Sequence, residues 1–221
     1  SKSKIVRFPF LPNKTSMNDK YKAVVFDFGG VIEITPDGNP LRKVADIVGL
    51  SIDDFHKEYF KHNHLSNVDG LPWEETVAIV VSHLTDSEDI IEQSRQIILD
   101  HIASRKINRE LVGFFPILRK QGYKIAIFSN NTIRLRQQLV DEKIIDLVNE
   151  VVISAEIGFQ KPSKESFAVL FQKLGLRPEE VIFIDDAPKS LETAEEIGYT
   201  PILFQGNSKL KKGLQELGIR L

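Results

Sequence analysis

The chain has 221 residues, 42% hydrophobic and 27% charged, which supplies enough apolar material for a packed core and argues against disorder. Lysine and arginine total 29 against 31 acidic residues, so no basic field is available to hold a polyanion, and no nucleic acid partner is expected. The lack of cysteine excludes disulfides and thiolate chemistry and suits a reducing, cytoplasmic setting; no run reaches the length of a membrane span.

Residues 1–20 are basic and proline-containing (Lys2, Lys4, Arg7, Pro9, Pro12), lack the apolar stretch of a secretory signal, and are expected to form a loose arm. The β-branched run from Ala23 to Phe28 then reads as a buried strand. Between Leu41 and Arg109 there is no convincing strand and at least four successive helix candidates, which marks residues 41–107 as a helical insertion. Ser51 ahead of Asp53 and Asp54 is expected to cap a helix, Pro72 to occupy a first turn, and Ser87-Glu88-Asp89 to open a helix over Ile90 to Ile102. Asn108 starts the helix that returns the chain to the core, so that residues 21–40 and 108–221 form one unit. Further strands are predicted at Ile125 to Phe128, Val151 to Ser154, Val181 to Ile184 and Pro201 to Phe204, with helices over Glu165 to Leu174 and Ser190 to Ile197. Alternating strands and helices, with strands too uniformly apolar to be half-exposed, predict an α/β fold: a parallel sheet with helices on both faces.

In such sheets the ligand lies beyond the carboxyl ends of the strands. The first strand ends in Asp27-Phe28-Gly29-Gly30, a carboxylate followed by glycines that let backbone amides approach a ligand. The next ends in Ser129-Asn130-Asn131, a later crossover carries Gly158-Phe159-Gln160-Lys161-Pro162, and the fourth strand ends in Asp185-Asp186. Taken singly, each has an ordinary reading: Asp27 a turn residue, Ser129 a helix cap, Lys161 a solvated charge, Gly29-Gly30 a tight turn. Adjacent carboxylates such as Asp185-Asp186 after a buried strand repel unless a cation or donors sit there.

In this order and at these strand ends, Asp27, Ser129, Lys161 and Asp185-Asp186 resemble the four motifs of the haloacid dehalogenase superfamily. The resemblance covers roughly residues 21–205 and implies a Rossmann-like core, with the insertion at 41–107 in the place of that family's cap domain. It implies a Mg²⁺-dependent phosphatase acting on a small phosphorylated metabolite, with Asp27 as nucleophile and Asp27, the Gly29 carbonyl, and Asp185 or Asp186 as metal ligands. Ser129, Asn130, Lys161 and the amides of Phe28 and Gly29 are then expected to hold the phosphoryl oxygens, in a monomer or homodimer.

One position departs from the pattern. Most phosphatases of the family carry a second aspartate two residues after the nucleophile as general acid and base; here that place is Gly29. First motifs of this kind also resemble a branch that includes sugar-1-phosphate phosphatases and the N-terminal domains of epoxide hydrolases. Without the proton donor, esters with good leaving groups (sugar 1-phosphates, acyl or aryl phosphates) are expected to outperform simple alkyl phosphates. Two alternatives stand beside this reading: a haloacid dehalogenase proper, and a phosphate-binding regulatory protein that has lost turnover. His62 and His64 read as a polar helix end, Trp73 as a packing anchor, and Lys209 to Lys212 as a solvated face of the last helix.

Overall fold

The structure, a computed structural model, describes residues 20–35 and 39–221; the arm expected over residues 1–20 lies, except for Lys20, outside the described residues. In chain order, β1 (Ala23–Phe26) and β2 (Glu33–Ile34) precede five helices: α1 (Pro40–Ile47), α2 (Ile52–His62), α3 (His64–Asn67), α4 (Trp73–Ser82) and α5 (Glu88–Ser104). Then follow β3 (Lys106–Ile107), α6 (Arg109–Val112), α7 (Phe114–Lys120), β4 (Lys124–Ser129), α8 (Arg134–Asp141), β5 (Glu150–Ile153), α9 (Ser154–Ile157) and α10 (Lys164–Leu174). The chain closes with β6 (Val181–Asp185), α11 (Pro188–Leu191), α12 (Ala194–Ile197), β7 (Thr200–Leu203) and α13 (Asn207–Glu216).

Five strands form one parallel sheet in the order β5-β4-β1-β6-β7. Side chains alternate across it, as strand pleating requires. Val24, Phe26, Ile125, Ile127, Ile182 and Ile184 face one apolar cluster, with Phe115 and Leu118 of α7 and Leu214 of α13. Ala23, Val25, Ala126, Phe128 and Phe183 face the other, with Phe167 and Leu170 of α10. Burial on both faces is why β1, β4 and β6 are so uniformly apolar. A third cluster, built on Val44, Phe55, Val77, Val80, Val81 and Ile98, lies wholly within α1, α2, α4 and α5, so this helical segment has its own core.

Several expectations need correction. Pro201 to Phe204 reads as a buried strand, but β7 is the sheet edge and alternates between part-buried and exposed; an edge strand tolerates Pro201 because it needs fewer ladder donors. Ser190 to Ile197 is not one helix but two single turns, α11 and α12. The stretch between Leu41 and Arg109 does contain a strand, β3, which pairs antiparallel with β2 through Glu33↔Ile107 and Ile34↔Lys106. Two-residue strands carry no readable periodicity, and this ribbon joins the helical segment to the sheet. Pro72 sits one residue before α4 rather than in its first turn. The caps at Ser51 and Asn108 form as expected, with their side chains accepting from the N–H groups of Asp54 and Leu111.

Candidate active site

The strand order reverses between β1 and β6, the place where open α/β sheets leave a crevice. Phe26 pairs with Ile184, so the next residues along, Asp27 and Asp185, stand side by side at the carboxyl ends of these strands. The Asp27 N–H donates to the Ile184 carbonyl at 2.8 Å, which fixes the backbone where the side chain leaves the sheet. Carboxylate oxygens of Asp27, Asp185 and Asp186 lie within 4.8 Å of one another.

Among the described residues, the buried cation Lys161 contacts two of these three acids. Lys161, almost fully buried, donates from Nζ to Asp185 Oδ2 at 2.5 Å and lies 3.0 Å from Asp27 Oδ1. Its ammonium sits 5.0 Å and 5.4 Å above the rings of Phe183 and Phe128, which shield it from solvent. Asn130 holds the lysine backbone from both sides, accepting from its N–H at 2.7 Å and donating to its carbonyl at 3.0 Å. The Lys161–Pro162 peptide is cis. Upstream, α9 ends on Gly158 in the left-handed conformation, which turns the chain back towards the sheet.

The electrostatics follow from burial. Desolvation pushes the Asp27 carboxyl up to about 7; the charge of Lys161 opposes this, and those of Asp185 and Asp186 add to it. Asp186 is raised as well, by desolvation first and then by the negative charge of Asp185. Burial alone would lower the Lys161 ammonium, but Asp27 and Asp185 outweigh it and hold the group above the ordinary lysine range.

Asp185 Oδ1 accepts from the Ala187 N–H at 2.8 Å, so its two oxygens are held by different donors. The Phe28 N–H donates to Asp27 Oδ1 at 2.7 Å, while the Phe28 ring is buried in the core. Gly29 forms a bridge with Glu33, and a Cβ at Gly29 would meet nothing within 4 Å. Gly30 differs: its φ is +75°, and a Cβ there would lie 2.1 Å from Asp186 Oδ2. Ser129, the last residue of β4, lies at the same end of the sheet and is buried.

A cavity of about 430 Å³ opens beside these residues, between Gly29, Gly30 and Asn130 on the sheet side and Trp73 and His101 on the helical segment. Its lining includes residues whose role the sequence does not signal. Glu33, 5% exposed, is paired with Arg105 at 3.0 Å and accepts from Gln138, joining β2, α8 and the end of α5. Trp73 packs on the third cluster as expected but also lines the cavity, with the His101 ring edge-on at 5.6 Å and the Arg105 guanidinium at 5.4 Å. His62 ends α2 with its ring tilted at 39° to that of His83, centroids 4.9 Å apart, and His64 opens α3; neither belongs to the cavity lining. On the Lys209 to Lys212 face, Lys211 pairs with Glu110 at 2.9 Å, Lys212 lies 3.9 Å from Glu216, and Lys209 donates to Gln205 at 3.1 Å, so these surface lysines are partnered.

The family model of haloacid dehalogenase-like hydrolases matches residues 21–198. A phosphatase of Mycobacterium tuberculosis is 23% identical over 197 residues, covering 87% of this chain and 91% of its own length. By contrast, the chain aligns with only 22% of the rat bifunctional epoxide hydrolase 2 and 23% of the mouse one, less than a quarter of those relatives. Among solved structures, a predicted hydrolase of this type from Porphyromonas gingivalis superposes with a TM-score of 0.64 at 19% identity, covering 91% of this chain and 100% of that one. A family enzyme from Bacteroides thetaiotaomicron, solved with magnesium and inorganic phosphate, superposes with a TM-score of 0.57 at 18% identity, covering 86% and 98%. These two share the fold. By the match to its family model, over most of its length, the chain belongs to the haloacid dehalogenase-like hydrolases.

Proposed function

We propose that this hydrolase is a Mg²⁺-dependent phosphatase acting on a small phosphorylated metabolite, with Asp27 as nucleophile. The observation that carries the reading is the charge balance at the strand ends: three carboxylates within 4.8 Å and one buried ammonium. With every acid ionised, two negative charges are left over among a buried (Asp185), a part-buried (Asp27) and an exposed (Asp186) carboxylate, which favours a divalent cation held by hard oxygen donors. Asp27, the Gly29 carbonyl, Asp185 and Asp186 would hold it. When bound, Mg²⁺ supplies positive charge that shields an anionic nucleophile from an anionic ester.

The protein's own residues account for the remaining steps. Asp27 is anchored at its backbone and contacted at Oδ1 by Lys161 and the Phe28 N–H, so its second oxygen is the one presented for attack. Attack forms a bond from that oxygen to phosphorus, and the ester P–O bond breaks with its electron pair on the leaving group. Gly29 carries no acid to protonate that oxygen, so leaving groups that depart easily (sugar 1-phosphates, acyl or aryl phosphates) are favoured over alkyl esters. Water then attacks phosphorus, the bond to Asp27 breaks, and inorganic phosphate departs. Ser129 and Asn130 at the end of β4, and Lys161 in the loop after α9, would offer donors to the phosphoryl oxygens. The helical segment would act as a cap over the cavity.

The test is phosphate release from aryl and sugar phosphates with Mg²⁺ and with chelator. Release that needs the metal and disappears in Asp27→Asn supports the proposal. Release that survives the chelator, or that survives Asp27→Asn, contradicts it.

A further inference from the structure

Glu33 closes the turn that follows Asp27. Its N–H donates to the Phe28 carbonyl at 2.8 Å and its carbonyl accepts from the Gly30 N–H at 2.7 Å, so both of its backbone groups hold residues 28–30. That turn lies close against the acids, because a Cβ at Gly30 would stand 2.1 Å from Asp186 Oδ2. A shift of β2, which carries Glu33, therefore moves the turn relative to Asp27 and Asp186.

The Glu33 side chain fixes where β2 sits. At 5% exposure, its carboxylate meets the Arg105 guanidinium on Oε1 at 3.0 Å and accepts from the Gln138 amide on Oε2 at 2.5 Å. Arg105 caps the end of α5, and its guanidinium lies 5.4 Å from the ring of Trp73, which packs on the core of the helical segment. Gln138 belongs to α8, the helix that follows Ser129 and Asn130. The two carboxylate oxygens thus tie the turn after Asp27 both to the inserted helices and to the element after β4. Such a carboxylate has a narrow choice of positions, since losing either contact leaves a buried polar atom without its partner. We propose that Glu33 is a positioning residue: through Arg105 and Gln138 it sets the turn at residues 28–30, and so the Gly29 carbonyl and the Phe28 and Gly29 amides, against Asp27 and Asp186. Its effect on Mg²⁺ rests on the phosphatase reading above.

Hydrogen–deuterium exchange on the whole protein reads the turn without metal or turnover. In Glu33→Gln, which removes the charge that holds Arg105, the amides at positions 30 and 33 should exchange about tenfold faster, while those of Val25 and Ile127 in the sheet stay within about twofold of wild type. Mg²⁺ affinity, measured by calorimetry without substrate, should fall about tenfold in the same variant. Arg105→Met breaks the same contact, so the double variant should weaken Mg²⁺ no more than the larger single change does; independent roles would multiply the two losses. Gln138→Ala removes one donor only and should move both readouts in the same direction by a smaller factor, and it carries the test if Glu33→Gln does not fold. If the wild type binds no Mg²⁺, the phosphatase reading fails, and exchange at positions 30 and 33 still decides the role of Glu33. Unchanged exchange there, or faster exchange spread equally to Val25 and Ile127, would overturn the proposal, as would, where the metal binds, unchanged affinity or losses that multiply.

Discussion

Asp27 is where structure and proton chemistry meet. Its carboxyl is pushed up to about 7 by desolvation, against the pull of Lys161 and with the support of Asp185 and Asp186. A raised value means that the folded, metal-free protein binds this proton more tightly than the unfolded chain does. The associated stability is therefore complete below about pH 4 and lost as pH rises through about 7. On the proposed reading Mg²⁺ would compete with that proton, so its affinity is expected to rise from about pH 6 to about pH 8 and then level off. Thermal-shift titrations with Mg²⁺ at several pH values check this, and Asp27→Asn should flatten the dependence. The two glycines after Asp27 predict opposite outcomes. Gly30→Ala places a side chain at φ +75° and against Asp186, and is expected to cost at least about 1–2 kcal/mol together with activity. Gly29→Asp meets open space, and is expected to raise turnover on alkyl phosphates about a hundredfold or more by restoring a proton donor. Steady-state rates on an alkyl and an aryl phosphate measure that gain, which should be larger for the alkyl ester.

The elements that carry these residues are held by packing that extends from the sheet core up to the site. α10 follows the Lys161 loop and presses Phe167 into an aromatic group in which its ring lies 4.7 Å from Tyr199, 5.1 Å from Phe128 and 5.6 Å from Phe183. Because Phe128 and Phe183 also flank the Lys161 ammonium, this cluster links the sheet core to the site. Phe167→Ala is expected to cost about 3–5 kcal/mol in denaturant unfolding; a loss below about 1 kcal/mol would show that α10 is held mainly by other contacts. At this scale the sequence is easy to read wherever an element is long and uniformly apolar. The strands through Val25, Ile127 and Phe183 and the helix ending at Leu174 were all visible, because burial on both faces of the sheet leaves a continuous apolar signature. The β2–β3 ribbon was not, since its two-residue strands show no period, and the edge strand β7 looked buried because Ile202 and Leu203 resemble core residues.

Over the whole molecule, the described residues build three apolar clusters: one on each face of the sheet with its covering helices, and a third confined to α1, α2, α4 and α5. The cavity lies between the carboxyl end of the sheet and that helical segment. The four motif positions could be found from the sequence because each follows a recognisable strand or turn, and the fold brings Asp27, Lys161 and Asp185 into direct contact. Glu33, Arg105 and Gln138 could not be found that way. They come from three separate elements, and only tertiary structure makes them neighbours. The same holds for Trp73, whose side chain serves the helical core and the cavity together. No described helix is long and apolar enough to cross a membrane. The central claim, that Asp27 attacks phosphorus, is tested most directly by quenching the protein during turnover of an aryl phosphate with Mg²⁺ and mapping any acid-stable phosphate by mass spectrometry. A phosphoryl group on Asp27, formed and consumed at the rate of turnover, is the predicted result; turnover with Asp27 unmodified throughout, or with the phosphoryl group on another residue, would contradict it.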